Sequence, residues 1–252
     1  MKNCLVLGAW CLVFGASPIC PAMTPSDAVA IILNSKRATG EKAFAAAKER
    51  VEIDAAEGKP LQQFVIGITT DDKDLAKRYL DSSREKIRTL AAEKDNPLAW
   101  YLLAVEKNDR KLLRRAAKGG NVQAQNALGA ILIQETLGRA NIPSNIIESA
   151  QKEGFALFSK AAEQGDSNGF INLGMCYQQG FGCEKDMEEA FNCFKSAAEA
   201  EPGHPEGMDR LSDCYRRGCG IERDDALSLY WEMRGRAARG NDAAEQWLRD
   251  RK

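Results

Sequence analysis

The chain has 252 residues, enough for one or two domains with a core of ordinary size. Its 35 Lys+Arg balance 36 Asp+Glu, which excludes a global basic field for nucleic acid or anionic membrane, and an acidic tail. Alanine, leucine, glutamate, lysine and arginine dominate and favour helix. The single histidine, His204, reads as a solvated loop residue in E-P-G-H-P-E and leaves zinc and triad chemistry without an imidazole pair.

Residues 1–22 stand apart from the fold. Lys2 precedes an apolar run over 4–14, and Cys20-Pro21-Ala22 offers a small-residue exit. That is the pattern of a secretory signal, because a membrane span needs about 20 apolar residues. Cleavage is expected after Ala22, leaving Met23 first. Ile19 before Cys20 is too bulky for a lipoprotein signal. The expected localisation is therefore exported, periplasmic or secreted, with no stable membrane insertion after cleavage. Such compartments are oxidising, and five of the eight cysteines (Cys176, Cys183, Cys193, Cys214 and Cys219) would stay with the mature chain.

Thr24-Pro25-Ser26-Asp27 opens a first helix. A second runs from Glu41, with Phe44, Ala47, Val51 and Ala55 at helical spacing, and closes at Gly58. Its Ala55-Ala56 pair recurs as Ala91-Ala92, Ala116-Ala117, Ala161-Ala162, Ala197-Ala198 and Ala237-Ala238, at spacings of 36, 25, 45, 36 and 40. Ten to thirteen residues after each pair stands a large apolar residue, followed by a small one in five cases: Ile66-Gly67, Leu103-Ala104, Leu128-Gly129, Leu173-Gly174 and Leu211-Ser212. The sixth is Leu248, followed by Arg249. A period near 35 means stacked helix pairs.

The clearest copy starts at Asp166. Phe170, Leu173 and Tyr177 share one face of its first helix, beside the small Gly169, Gly174 and Cys176. Gly180 and Gly182 form the reversal, and Met187, Ala190, Phe191, Phe194 and Ala198 make the stripe of the second helix. Neither helix buries its stripe alone, so the copies must stack. The next copy repeats Leu211, Tyr215, Gly218 and Gly220. Residues 136–149 lengthen one inter-helix loop, and Asn141 to Asn145 should break any helix there. Residues 242–252 read as a first helix without a partner, with a polar end. The organisation expected is 1–22 signal peptide, 23–120 N-terminal helices and degenerate repeats, and 121–252 clear repeats with a C-terminal capping helix.

The run L-G-M-C-Y-Q-Q-G-F-G-C-E-K-D-M-E-E-A-F-N-C-F-K-S-A-A resembles the Sel1-like repeat, a relative of the tetratricopeptide repeat. The matching positions are Leu173, Gly174, Tyr177, Gly180, Gly182, Asp186, Ala190, Phe194, Ala197 and Ala198. In the following copy they are Leu211, Tyr215, Gly218, Gly220, Asp224, Ala237 and Ala238. Cys183, Glu189 and Leu132 depart from the pattern. The resemblance implies an all-α fold, an α/α solenoid of helix-turn-helix repeats (a tetratricopeptide-like superhelix). It also implies a non-enzymatic adaptor or scaffold that binds a protein or peptide on its concave face, without nucleic acid, metal or cofactor.

Cys176 and Cys214 occupy the same repeat position, and Cys183 and Cys219 follow in the respective turns. One reading is a local disulfide per repeat, Cys176–Cys183 and Cys214–Cys219, with Cys193 a buried thiol. Cross-repeat pairing such as Cys183–Cys214, or reduced thiols throughout, are the alternatives. A cysteine-rich secreted branch of the family has been linked to penicillin binding, so Ser-x-x-Lys at Ser83–Lys86 and Ser149–Lys152 carries an alternative reading as a β-lactam-binding or β-lactam-hydrolysing site. Ser-Asp-Asn and Lys-Thr-Gly are missing, and exposed helix faces explain both pairs. A secreted effector engaging a host protein is a further alternative. Arg110, Lys111, Arg114, Arg115 and Lys118 read as a solvated basic face near a helix C-terminus, and Trp100-Tyr101 and Tyr230-Trp231 as packing pairs.

Overall fold

The computed structural model describes residues 48, 51, 52, 55, 58–137, 142–200 and 203–251. The signal segment, Thr24–Lys36 and most of the helix from Glu41 lie outside them. Of that helix, Val51 and Ala55 are fully buried, and Gly58 N–H closes on the Ala55 carbonyl.

Five helix pairs and a closing helix follow among the described residues. They are α1 (Pro60–Thr69) with α2 (Lys73–Lys94), α3 (Pro97–Lys107) with α4 (Arg110–Lys118), and α5 (Val122–Thr136) with α6 (Ser144–Glu163). Then come α7 (Ser167–Gln179) with α8 (Met187–Glu199), α9 (Pro205–Arg217) with α10 (Asp225–Ala238), and α11 (Asp242–Arg249). Each helix packs mainly on its chain neighbours, and first helices of adjacent pairs also meet, α1 with α3, α5 with α7 and α7 with α9. This is an α/α solenoid, as the repeat pattern requires.

The register comes from the starts of the first helices. Asn96, Asn121, Asp166 and Asn241 cap α3, α5, α7 and α11 by accepting from a backbone N–H in the first turn, each cap contributing about 1 kcal/mol. Counting from these caps, Leu103-Ala104, Leu128-Gly129 and Leu173-Gly174 all fall at the seventh and eighth positions, and so do Leu211-Ser212 after His204 and Ile66-Gly67 after Lys59. Each cap residue's own N–H also donates to a carbonyl on the preceding helix: Asn96 to Leu90, Asn121 to Ala116, Asp166 to Ala161, His204 to Ala197 and Asn241 to Arg236, all at 3.0–3.3 Å. From α3 onward each new first helix is thereby bonded to the repeat before it.

Two expectations need correction. α5 runs to Thr136 and α6 already opens at Ser144, so residues 144–149, expected in the loop, are helical, with Pro143 fixing the start of α6. On α7, Phe170, Leu173 and Tyr177 are only half-buried, whereas Asn168, Ile171 and Asn172 are buried. The helix lies between α6, α8 and the neighbouring first helices, so more than one face is covered. On α8 the expected stripe holds, with Ala190, Phe191, Phe194 and Ala198 buried.

Candidate interaction surface

Small residues let the helices of the solenoid approach closely. A Cβ on Gly169 would stand 2.5 Å from the Ala162 nitrogen, and one on Gly207 would stand 2.8 Å from the Ala197 Cβ. The third helical residue thus sits on the alanine pair of the preceding helix, which is why Ala161, Ala197 and Ala198 are sealed from solvent. Gly129 and Gly174 lie against the rings of Phe158 and Phe194, while Ser212, at the same position, bonds the Ser228 carbonyl at 2.8 Å. Leu128 and Leu211 are buried beside them. Tyr177 meets Phe155 edge-to-face at 5.4 Å, and Tyr215 repeats this with Phe191 at 5.5 Å. Gly180 and Gly218 are the left-handed residues that stop α7 and α9. Gly182 and Gly220 have positive φ and rest directly on the Gln151 and Met187 carbonyls of the preceding pair's second helix, where a side chain has no room.

Buried polar groups tie the first helices together. Asn126 Nδ2 donates to Asp166 Oδ2 at 2.7 Å, and the same oxygen accepts Gly169 N–H at 2.7 Å. Burial outweighs these bonds and raises the Asp166 pKa. His204 is 1% exposed, so it is not a solvated loop residue. It replaces Asn or Asp as the cap of α9, its Nδ1 accepting Glu206 and Gly207 N–H. The proton therefore belongs on Nε2, which donates to Asn168 Oδ1 at 2.8 Å. Desolvation, helped by the Arg239 charge, pushes its pKa down to about 3.

At 100° per residue, cap positions 3, 7, 8 and 11 face the neighbouring second helices, and positions 2, 6, 9 and 13 lie on the opposite side. That second stripe is Gln123, Ala127, Ala130 and Gln134 on α5, and Asn168, Asn172, Met175 and Gln179 on α7. On α9 it is Glu206, Arg210, Asp213 and Arg217. Apart from Asn168 and Asn172, which are buried, these side chains keep some exposure. On α3 the same side is apolar, with Leu98, Leu102 and Val105, so the stripe turns from apolar to polar and then charged along the chain.

Elsewhere the singled-out chemistry is absorbed by packing. Ser83 is fully buried and donates to the Tyr79 carbonyl at 2.5 Å, while Lys86 is exposed. Ser149 is exposed, but the Lys152 ammonium is held by Glu148 at 2.6 Å. The basic cluster is not merely solvated. Arg110 pairs with Glu135 and Arg115 with Asp95, both within 3 Å, and Arg114 pairs with Glu153, so three arginines of α4 reach carboxylates on other elements. Arg115 also lies over the Trp100 ring at 4.1 Å. Tyr101 and Trp231 are core residues and Tyr230 is exposed. All five cysteines described are free thiols. Burial pushes the Cys176 and Cys193 thiols up to about 12 and Cys214 up to about 11. Sequence reading passed over Asn126, Asp166, Asn168 and Asn172 as linked residues; their one visible mark is the i, i+4 asparagine pair on an otherwise apolar helix.

The Sel1 repeat family model matches residues 122–166, 171–201 and 205–231. The DAP3-binding cell death enhancer 1 proteins of Rattus norvegicus and Mus musculus are each 30% identical over 87 residues, which is 34% of this chain and 15% of theirs. The chain thus spans only a small part of these relatives. Among solved structures, a Sel1 repeat protein from Oxalobacter formigenes aligns with a TM-score of 0.43 and 22% identity, covering 51% of this chain and 90% of that one. A protective antigen of uropathogenic Escherichia coli with an SLR fold aligns with a TM-score of 0.34 and 20% identity, covering 88% and 57%. Sel1 repeat proteins generally mediate protein–protein interaction. The caps, glycine turns and alanine contacts of residues 122–231 keep one register across the three stretches that the Sel1 repeat model matches.

Proposed function

We propose that this chain is an exported, non-enzymatic scaffold that holds another protein or peptide against the side-by-side first helices of its solenoid. The observation that carries this reading is the stripe at cap positions 2, 6, 9 and 13. It is the one side of α5 and α9 not committed to the second helices, and its chemistry differs from copy to copy. The repeat residues themselves (Leu, Gly, Tyr and the alanine pairs) are consumed in stacking and carry no specificity. Export is supported by the Lys2 start, the apolar run over 4–14 and the small-residue exit at Ala22. The burial of Ser83 argues against a β-lactam site there.

The test compares wild type with Ala130→Arg/Arg210→Glu in affinity capture of the native exported protein. A partner recovered with the wild type and lost with the variant, at unchanged helical circular dichroism, supports the face. Retention of the same partner by the variant moves the site elsewhere. Capture that repeatedly yields no specific partner removes the scaffold reading, and hydrolysis of a chromogenic β-lactam would replace it.

A further inference from the structure

The turn after α9 carries two cysteines in a backbone arrangement that the turn after α7 fills with one. Gly218 is left-handed, with φ 69°, and brings Cys219 N–H onto the Cys214 carbonyl at 3.0 Å. In this kind of helix stop, the residues joined by that bond also bring their side chains into apolar contact. After α7 the same bond runs from Phe181 N–H to the Cys176 carbonyl, also at 3.0 Å, so the companion of the first cysteine is a phenyl ring. Cys183 falls two residues beyond that position, and Cys176 has a second thiol, Cys193, near it as well. Cys214 and Cys219 belong to one apolar cluster with Phe191, Tyr215 and Trp231, as Cys176 and Cys183 do with Phe158 and Phe181, so what sets the pair after α9 apart is that both cysteines are joined by the backbone bond of the helix stop. Cys214 is buried at 3% exposure, and Cys219 is half-buried.

We propose that Cys214 and Cys219, rather than both local pairs, form a reversible disulfide that clamps the end of α9 to its glycine turn. The oxidant is a small-molecule disulfide such as oxidised glutathione. Cys219, the more accessible thiol, gives up its proton, and its sulfur attacks one sulfur of the oxidant. The other half leaves as thiolate and takes up a proton. Cys214 then gives up its proton and attacks the Cys219 sulfur, breaking the mixed disulfide and releasing the second half as a thiol. Two protons and two electrons leave the protein pair, and the oxidant becomes two thiols. The upward-shifted Cys214 thiol slows the second step, so a mixed disulfide at Cys219 should accumulate briefly. Closure would fix the turn whose Gly220 rests on the Met187 carbonyl, tightening one inter-repeat joint.

Arg216 and Arg217 lie between the two cysteines, which gives a direct test. The full chain is equilibrated in glutathione buffers of rising oxidised fraction, alkylated, and digested with trypsin without reduction. Mass spectrometry should find fragments 211–216 and 218–223 joined in a proportion that rises with the oxidised fraction. The joined species should vanish on reduction and be absent from Cys219→Ala, whose circular dichroism should match wild type. Two unlinked, alkylated fragments under full oxidation would overturn the proposal. So would a link from the Cys214 fragment to one bearing Cys176, Cys183 or Cys193. The wild-type readout decides the matter even if the variant folds poorly.

Discussion

The buried imidazole at the start of α9 makes acid sensitivity a sharp test of the fold. His204 has its pKa held down near 3, against 6.5 when exposed. Between those values the unfolded chain binds a proton that the folded chain refuses, so stability falls as pH drops below 6.5 and the loss is complete only near 3. At pH 5 the lost contribution is about 2 kcal/mol, from one and a half pH units at about 1.4 kcal/mol each. Asp166 works the other way, because its raised pKa makes the folded state the stronger proton binder at the acid end. The two are separated by His204→Asn, which keeps a good capping side chain and removes the titrating group. Guanidinium unfolding at pH 7.5 and pH 5.0 should show wild type losing about 2 kcal/mol more than the variant across that interval. Because the chain has 1 histidine, its proton NMR ring signal is unambiguous and should not move between pH 8 and about pH 4.5. A midpoint above about pH 5.5 would mean that the ring is wet, and the capping account would be wrong.

The two glycines of one turn should behave differently. Gly218→Ala places a methyl no closer than 3.5 Å to its neighbours and should cost about 1–2 kcal/mol for the left-handed backbone alone. Gly220→Ala drives a methyl into the Met187 carbonyl and should cost more than about 3 kcal/mol in chemical denaturation; equal costs would show that the turn does not rest on α8. A double-mutant cycle with Phe191→Leu and Tyr215→Leu should give a coupling of about 1 kcal/mol from the edge-to-face contact, and additivity would argue that the rings do not meet in solution. Arg110→Gln and Arg114→Gln should each lower stability by less than about 1 kcal/mol, with the effect disappearing at high salt. A larger or salt-independent loss in the melting curves would mean that the arginine stems are packed rather than merely paired.

What the sequence made legible is local or periodic. The alanine pairs, the Leu-Gly steps and the double-glycine turns repeat because each repeat meets the same neighbour in the same way, so one chemical requirement is written several times. Requirements met once, between residues distant in the chain, leave no period. His204 looks like a loop residue until Asn168, 36 residues earlier, is placed beside it. Asn126 gains its meaning from Asp166, 40 residues on. The arginines of α4 look like a solvated patch because the carboxylates Glu135 and Glu153 lie 25 and 39 residues away. The stripe proposed for binding was illegible for a different reason. It is defined by what the caps and second helices leave over, and the caps must be located before the stripe can be counted.

The bond from each capping residue's N–H to the helix before it also determines where the molecule tolerates change in length. A residue added between Ala161 and Asp166 would turn the entry of α7 by about 100° relative to that bond. Every helix downstream would inherit the error, as a drive shaft passes on a misaligned coupling. Before α9 the bond has a longer reach, from His204 to Ala197 seven residues back, where Asn121, Asp166 and Asn241 each reach five back. The bends after α7 and α9 are no freer, because Gly182 and Gly220 seat them on the preceding repeat.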